Sequence, residues 1–373
     1  MKDRFGREID YLRISVTDRC NLRCLYCMPG DIETVPMREI LTFEEIVTIV
    51  HCASKLGISK IKITGGEPLV RRDVCKLIKM LKAVPGIDQV TLTTNGLLLD
   101  EMINDLVSAG TDCINISLDT LDSERYRLIT GYDRLDSVIK GLKSALKHNI
   151  MVRINAVSVN WDKYFGNGII NKGIIDKETI DKVISGKEIS GKEISGKDFI
   201  GKEIIGKETG IPDDIRALIG LSEKYPVDVR FIELMPIGSG KDYQALPHDV
   251  LIPMIQESFP GMEKDSYHGN GPAVYYHING YTGRIGFISA IHGKFCDSCN
   301  RIRLTSRGYM KSCLCYDKGV DLKDILRGEA SESQREEKLL EGMKDCILSK
   351  PDSHSFLNRD GITEKHAMSA IGG

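Results

Sequence analysis

Between residues 9 and 234 the chain repeats one pattern, a short run rich in isoleucine, valine and threonine followed by a longer segment with apolar residues at helical spacing. Strand-like runs fall at IDYLRISVT (9–17), KIKIT (60–64), QVTLTT (89–94), CINISLD (113–119), VRINAV (152–157) and VDVRFIEL (227–234). Helical patterns cover LTFEEIVTIVHCASKLG (41–57) and residues 72–83, 100–109, 134–148 and 213–224. Thr42 and Glu45 are spaced as a capping box, and Gly57 and Gly110 stand where helices stop. Strands that alternate with helices form parallel sheets, because each parallel pair needs a crossover. Six of them predict an α/β fold, a partial (β/α)6 TIM-like barrel with its ligands at the C-terminal strand ends. A flat doubly wound sheet is the competing topology.

The barrel is expected to occupy residues 1–235, interrupted at 163–212 by the low-complexity text ISGKEISGKEISGKDFIGKEIIGKE. Its apolar residues recur every fifth position, which fits neither the helical nor the strand period, so a mobile surface insertion is expected. A short coil of stacked turns is the alternative. Residues 236–330 then form a second region, and 331–373 a C-terminal helix and tail. No eighteen apolar residues follow one another and no apolar run opens the chain, which argues for a cytoplasmic protein with no membrane span. A formal net charge of −2 supplies no general field for nucleic acid, so an anionic ligand must meet a local group of cations.

Eleven cysteines are many for such a chain, and an odd number argues against a disulfide framework. Six form two triplets: Cys20, Cys24 and Cys27, and downstream Cys296, Cys299 and Cys313. Cys52, Cys75 and Cys113 lie in apolar-periodic segments and read as core residues. A closed zinc site takes four ligands, and no histidine or fourth cysteine stands near the first triplet. Three thiolates can instead hold three irons of a cubane and leave the fourth iron open to a small molecule. A zinc knuckle completed by a distant residue is the other reading.

The CxxxCxxC run DRCNLRCLYCMP, with Tyr26 before its last cysteine, and TGGEP at 64–68 together resemble the radical S-adenosylmethionine superfamily. A CxxC followed by thirteen residues and a further cysteine, the run DYLRISVTDRCNLRCLYCMP and the terminal Gly372-Gly373 resemble, in combination, the GTP 3′,8-cyclase family of molybdenum cofactor biosynthesis. The likeness spans nearly all of the chain outside the repeat. It implies two 4Fe–4S clusters, one on each triplet, and S-adenosylmethionine on the first, touched by Tyr26, Gly66, Ser117 and Met235. It implies a 5′-deoxyadenosyl radical that takes the 3′ hydrogen of GTP, whose carbon then attacks carbon 8 of guanine. The second cluster would hold the guanine.

By the same resemblance GTP is met by Arg13, Lys62, Thr93, Arg153, Arg230, Arg301, Ile302 and Arg303, with Arg301 and Arg303 counted as catalytic beside the first triplet. The residues agree in one respect: Arg301 and Arg303 alternate in NRIRL and share a face in a strand. Lys62 stands where the family usually has arginine, and Arg153 where lysine is usual. Charge survives both exchanges, but bidentate phosphate geometry does not pass from arginine to lysine. Cys315 competes with Cys313 for the last thiolate, and spacing favours Cys313. The Gly372-Gly373 tail is expected to reach into the site, so Gly373→Ala should abolish cyclisation with both clusters intact. A reducing electron donor, a downstream cyclic pyranopterin monophosphate synthase that receives the product, and a homodimer are the implied partners. A radical enzyme that modifies a peptide beside an auxiliary cluster, and a zinc-stapled interaction module, remain as alternatives.

Overall fold

The computed structural model describes residues 1–28, 30, 35–165, 210–293 and 295–372. The five-residue repeat and Gly373 lie outside the described residues. Strands β1 (Tyr11–Ser15), β2 (Lys60–Thr64), β3 (Gln89–Thr94), β4 (Cys113–Ser117), β5 (Met151–Ser158) and β6 (Val227–Glu233) form where alternation predicts them. They pair in sequence order, all parallel. Between them run α1 (Phe43–Lys55), α2 (Val74–Lys82), α3 (Leu99–Ser108), α4 (Ser123–Thr130), α5 (Leu135–Lys147), the single turn α6 (Asp162–Phe165) and α7 (Asp213–Lys224). The Thr42–Glu45 capping box closes the start of α1, and Gly57 follows its end at φ +88°.

The C-terminal region adds α8 (His248–Ser258), β7 (Met262–Lys264), β8 (Val274–Ile278), β9 (Ile285–Ile288), β10 (Arg301–Leu304), β11 (Tyr309–Lys311), β12 (Gly319–Asp321), α9 (Leu322–Arg327) and α10 (Glu332–Leu348). Its strands extend the same sheet at both edges: β9 lies parallel to β6, and β10 parallel to β1. The order is β12-β11-β10-β1-β2-β3-β4-β5-β6-β9-β8-β7, so eight parallel strands stand where the sequence gives six. The chain between β9 and β10 passes from one edge of this partial barrel to the other.

Period-two alternation divides each strand between two environments. Leu12, Ile14, Ile61, Ile63, Val90, Leu92, Ile114, Ile116, Ile154, Val229 and Phe231 point outward and are no more than 1% exposed in the main core beneath the helices. Each such side chain contributes about 1.5–3 kcal/mol by leaving water. The intervening residues face inward, and apart from Cys113, Met151, Val157 and Ile232 they are polar or charged.

Candidate active site

The first triplet lies on the loop between β1 and α1. Cys27 and Met28 donate backbone N–H bonds to Cys24 O at 3.0 and 2.8 Å, which folds the run into a tight turn. Arg23 N and Leu25 N bond to the end of α4 at Thr130 O and Ile129 O, 2.9 and 3.0 Å away. From the other side the TGGEP turn holds the loop, with Gly66 N donating to Thr17 O and Glu67 N to Arg19 O, both 2.8 Å. A Cβ on Gly66 would lie 2.4 Å from Arg19 O, so this position admits no side chain. Its bareness serves the chain's own cysteine loop directly.

All three cysteines are half-buried. Burial raises their thiols above the ordinary value, Cys27 to about 12, and the charges of neighbouring thiols add to the rise at Cys24 and Cys27. The three thiols are thus near enough for the charge of one to hinder ionisation of another. The Tyr26 hydroxyl donates to Asp119 Oδ2 at 2.7 Å. Ser117 closes β4 opposite Asn155, and Met235 follows the end of β6.

Within the barrel the inward residues form a layer of cations. In register across the strands stand Arg303, Arg13, Lys62 and Thr91, and one step further Thr93, Asn115 and Arg153. Arg230 donates from Nε to Asn155 Oδ1 at 3.0 Å and also bonds to Asn115. Arg153 donates to Cys113 Sγ at 3.2 Å and to the Tyr267 hydroxyl at 3.0 Å, and its Nε is 3.5 Å from Asp228. Arg13 stands in the middle of β1 and faces inward, because residues of one face recur every second place along the strand. Tyr11, Lys62, Thr91, Arg153, Arg230 and Tyr275 line a pocket here, covered by residues 270–273. Cys113 is buried as expected, yet it belongs to this polar lumen and not to the apolar core.

Like charges crowd one another in the layer. Burial holds Lys62 well below its ordinary value, and Arg230, Arg13 and Arg153 push it further. Arg303 is lowered by burial and then by Arg13 and Arg301. An anionic guest would relieve both. Ile302 is turned the other way, 1% exposed in the main core, so its side chain does not face the lumen.

The second triplet draws on separate segments. Cys296 and Cys299 lie on the turn at Phe295–Ser298 and just beyond it, and Cys313 follows β11. Burial acting alone would raise the Cys299 thiol, but Arg301 and Lys350 outweigh it and bring it down to about 6. Lys350 Nζ also donates to Arg301 O and Ser312 O at 2.8 and 2.6 Å. Cys315 is fully buried, its sulfur accepting from Ser355 N at 3.4 Å. The tail reaches the lumen: Arg303 Nη1 donates to Gly372 O at 2.8 Å, and a Cβ on Gly372, at φ +74°, would meet Thr64 Oγ1 at 3.1 Å. Met235, Cys313, Met368 and Ile371 pack in one apolar cluster, which joins the segment after β6, the second cysteine region and the tail.

The donor sets suit clusters better than single metal ions. Thiolates around one tetrahedral zinc lie about 3.8 Å apart, from a Zn–S bond of about 2.3 Å. Among the described residues the one set of three metal-ligand atoms all within 4.8 Å of one another is Asp317, Glu364 and His366, and neither cysteine triplet is so contracted. That acidic set is already engaged, since Lys311 pairs with both of its carboxylates.

Known proteins match this arrangement. Residues 14–161 match the Radical SAM superfamily, and residues 227–356 match Molybdenum Cofactor Synthesis C. The GTP 3′,8-cyclase of Clostridium perfringens (strain SM101 / Type A) is 37% identical over 375 residues, covering 100% of both chains. The chain belongs to the GTP 3′,8-cyclase family. Its likeness to the family's Heliobacterium modesticaldum member is 36% over 379 residues, again with full coverage of both. The fold is shared more widely: Streptococcus suis SuiB, solved bound to its precursor peptide SuiA, superposes with a TM-score of 0.56 at 14% identity, over 97% of this chain and 76% of that one.

Some residues that shape this GTP 3′,8-cyclase family site escape the motifs. Asn115 and Asn155 orient Arg230, Tyr275 lines the pocket, and Lys350 serves the second triplet. Asn115 was open to inference, since it stands two places before Ser117 and must share its face. Tyr275 reaches the lumen from β8 through the pairing of β9 with β6, and Lys350 through its bonds to the distant Arg301 O and Ser312 O.

Proposed function

We propose that this chain cyclises GTP to (8S)-3′,8-cyclo-7,8-dihydroguanosine 5′-triphosphate, the first step of molybdenum cofactor biosynthesis. The observation that carries the proposal is the buried cation layer on the inward face of the parallel strands. GTP bears about four negative charges, and charge-assisted bonds to arginine and lysine are the strong way to hold them. Arg13, Lys62, Arg153, Arg230, Arg301 and Arg303 would hold the triphosphate and ribose, with Thr93 beside them, and Ile302 could take part only through its backbone.

Cys20, Cys24 and Cys27 would hold one 4Fe–4S cluster and Cys296, Cys299 and Cys313 a second. When bound, the first supplies the electron that cleaves S-adenosylmethionine to methionine and a 5′-deoxyadenosyl radical. Tyr26, Gly66, Ser117 and Met235 would seat that cofactor. Arg303, between β1 and the tail, would fix Gly372 against the substrate and keep water from it. Cys313 would supply the last thiolate of the second cluster, as the spacing favours, with Cys315 buried in the same apolar cluster.

The reading carries an external one-electron donor, a downstream cyclic pyranopterin monophosphate synthase and a homodimer. It also carries a division into barrel (1–235), second-cluster region (236–330) and helix with tail (331–373), and a cytoplasmic location. Among the described residues no helix is long and apolar enough to cross a membrane. The deciding experiment is anaerobic incubation of reconstituted protein with S-adenosylmethionine, dithionite and GTP. About eight irons per chain, 5′-deoxyadenosine and a cyclised nucleotide are expected. Tight binding of a peptide with indifference to GTP would instead favour the peptide-modifying class.

A further inference from the structure

At the end of β6 a carboxylate is buried where nothing in the proposed chemistry uses it. Ladder pairing between β6 and β9 ends at Ile232 and Ile288, and the next residue, Glu233, is fully buried. Its Oε2 accepts from Ile291 N at 2.6 Å and His292 N at 3.1 Å, and its Oε1 from His248 N and His292 Nδ1, both at 2.9 Å. The side chain thus continues the β6–β9 seam after the backbone ladder stops. It also meets the buried backbone N–H of His248 at the start of α8, where negative charge is favourable. The His248 ring completes the joint, reaching Ser158 Oγ at the end of β5 at 2.9 Å and Ser289 Oγ after β9 at 2.8 Å.

What the joint connects gives it a meaning. Met235 lies two residues beyond Glu233, on the cofactor side. Ile291 and His292 lead directly into the turn that carries Cys296 and Cys299. Met235 and Ile291 pack in the same apolar cluster as Cys313 and Ile371. One carboxylate with four donors therefore fixes the cofactor-side loop against the loop of the second triplet. We propose that Glu233 is a positioning residue that sets the cofactor and the nucleotide at reacting distance. It touches neither, and acts through the loops it ties together.

The inference rests on the cyclase reading and makes a separate demand of it. A small displacement between the two loops would leave S-adenosylmethionine cleavage intact and spoil hydrogen transfer, because reacting groups must approach to about 3–3.5 Å. Glu233→Gln keeps the shape but turns one acceptor into a donor facing N–H groups. In reconstituted holoenzyme the ratio of 5′-deoxyadenosine to cyclised nucleotide should rise about tenfold, with about eight irons per chain retained. Deuterium transfer from 3′-deuterated GTP into 5′-deoxyadenosine should fall in proportion. A ratio equal to wild type overturns the inference alone, whatever the overall rate. A wild-type protein that yields no cyclised nucleotide overturns the cyclase reading and this inference with it. Should Glu233→Gln fail to fold, His292→Ala removes one donor and leaves the backbone in place, and a rise of about threefold is expected; an unchanged ratio there sinks the proposal equally.

Discussion

Lys62 concentrates the conflict between stability and binding in one side chain. It occupies an inward place in KIKIT, flanked by the outward Ile61 and Ile63, and is only 9% exposed. Burial and three neighbouring arginines all act against its charge. A lysine whose folded value lies below its unfolded one takes up a proton on unfolding, so this term strengthens the nucleotide-free fold as pH rises toward 10.5. Lys62→Met keeps the aliphatic stem and removes the charge. Without nucleotide the variant should melt roughly 2–4 °C higher than wild type in differential scanning calorimetry. Its GTP dissociation constant should rise about tenfold by titration calorimetry, the loss of one charge-assisted bond. A lower melting temperature would mean that the layer is already balanced without a guest.

The TGGEP turn shows how one element supports another. Glu67 is buried beneath the cysteine loop and accepts from Leu69 N at 3.0 Å, Thr94 Oγ1 at 2.7 Å and Asn95 N at 2.6 Å. Burial pushes its carboxyl up to about 7, against an ordinary 4.5, although these donors pull the other way. Between those values the folded chain holds a proton that the unfolded chain lacks, so stability falls as pH rises through the window and levels off above it. Glu67→Gln cannot lose that proton. Metal-free variant should therefore gain on wild type in melting temperature between about pH 5 and pH 8, and parallel curves would contradict the assignment. Such turns were legible in the sequence because a strand, two glycines and a helix cap each leave a local mark. The six parallel strands and the cysteine triplets were legible for the same reason. The outer two parallel strands, β9 and β10, were not, being four residues each with their parallel partners set by distant segments. Helix α4 was also hidden, since SERYRLIT has too few apolar residues to show a period. The cation layer was visible only as separate arginines and lysines, and their register required the sheet.

On the scale of the whole chain the two triplets differ in what holds them. Residues 20–27 form one loop, seated on α4 and the TGGEP turn nearby. The second triplet is assembled from segments that close the molecule on itself. Arg7, 7% exposed near the N-terminus, donates from Nη1 to Cys296 O at 2.9 Å and to Asp352 O at 2.8 Å, and from Nη2 to Pro351 O at 2.6 Å. Asp3 holds its Nε at 2.6 Å. One guanidinium thus binds the N-terminal arm, the Cys296 turn and the segment after α10 across 289 and 345 positions of sequence. Arg7→Ala leaves three carbonyls without that donor, the buried one of Cys296 among them, and the burden falls on the second site alone. Iron should drop from about eight to about four per chain after anaerobic reconstitution. The remaining cluster should still cleave S-adenosylmethionine, while cyclised nucleotide disappears. If instead both clusters fill and GTP is cyclised at the wild-type rate, the arm is not what holds the second site, and Lys350 must suffice to join its strands.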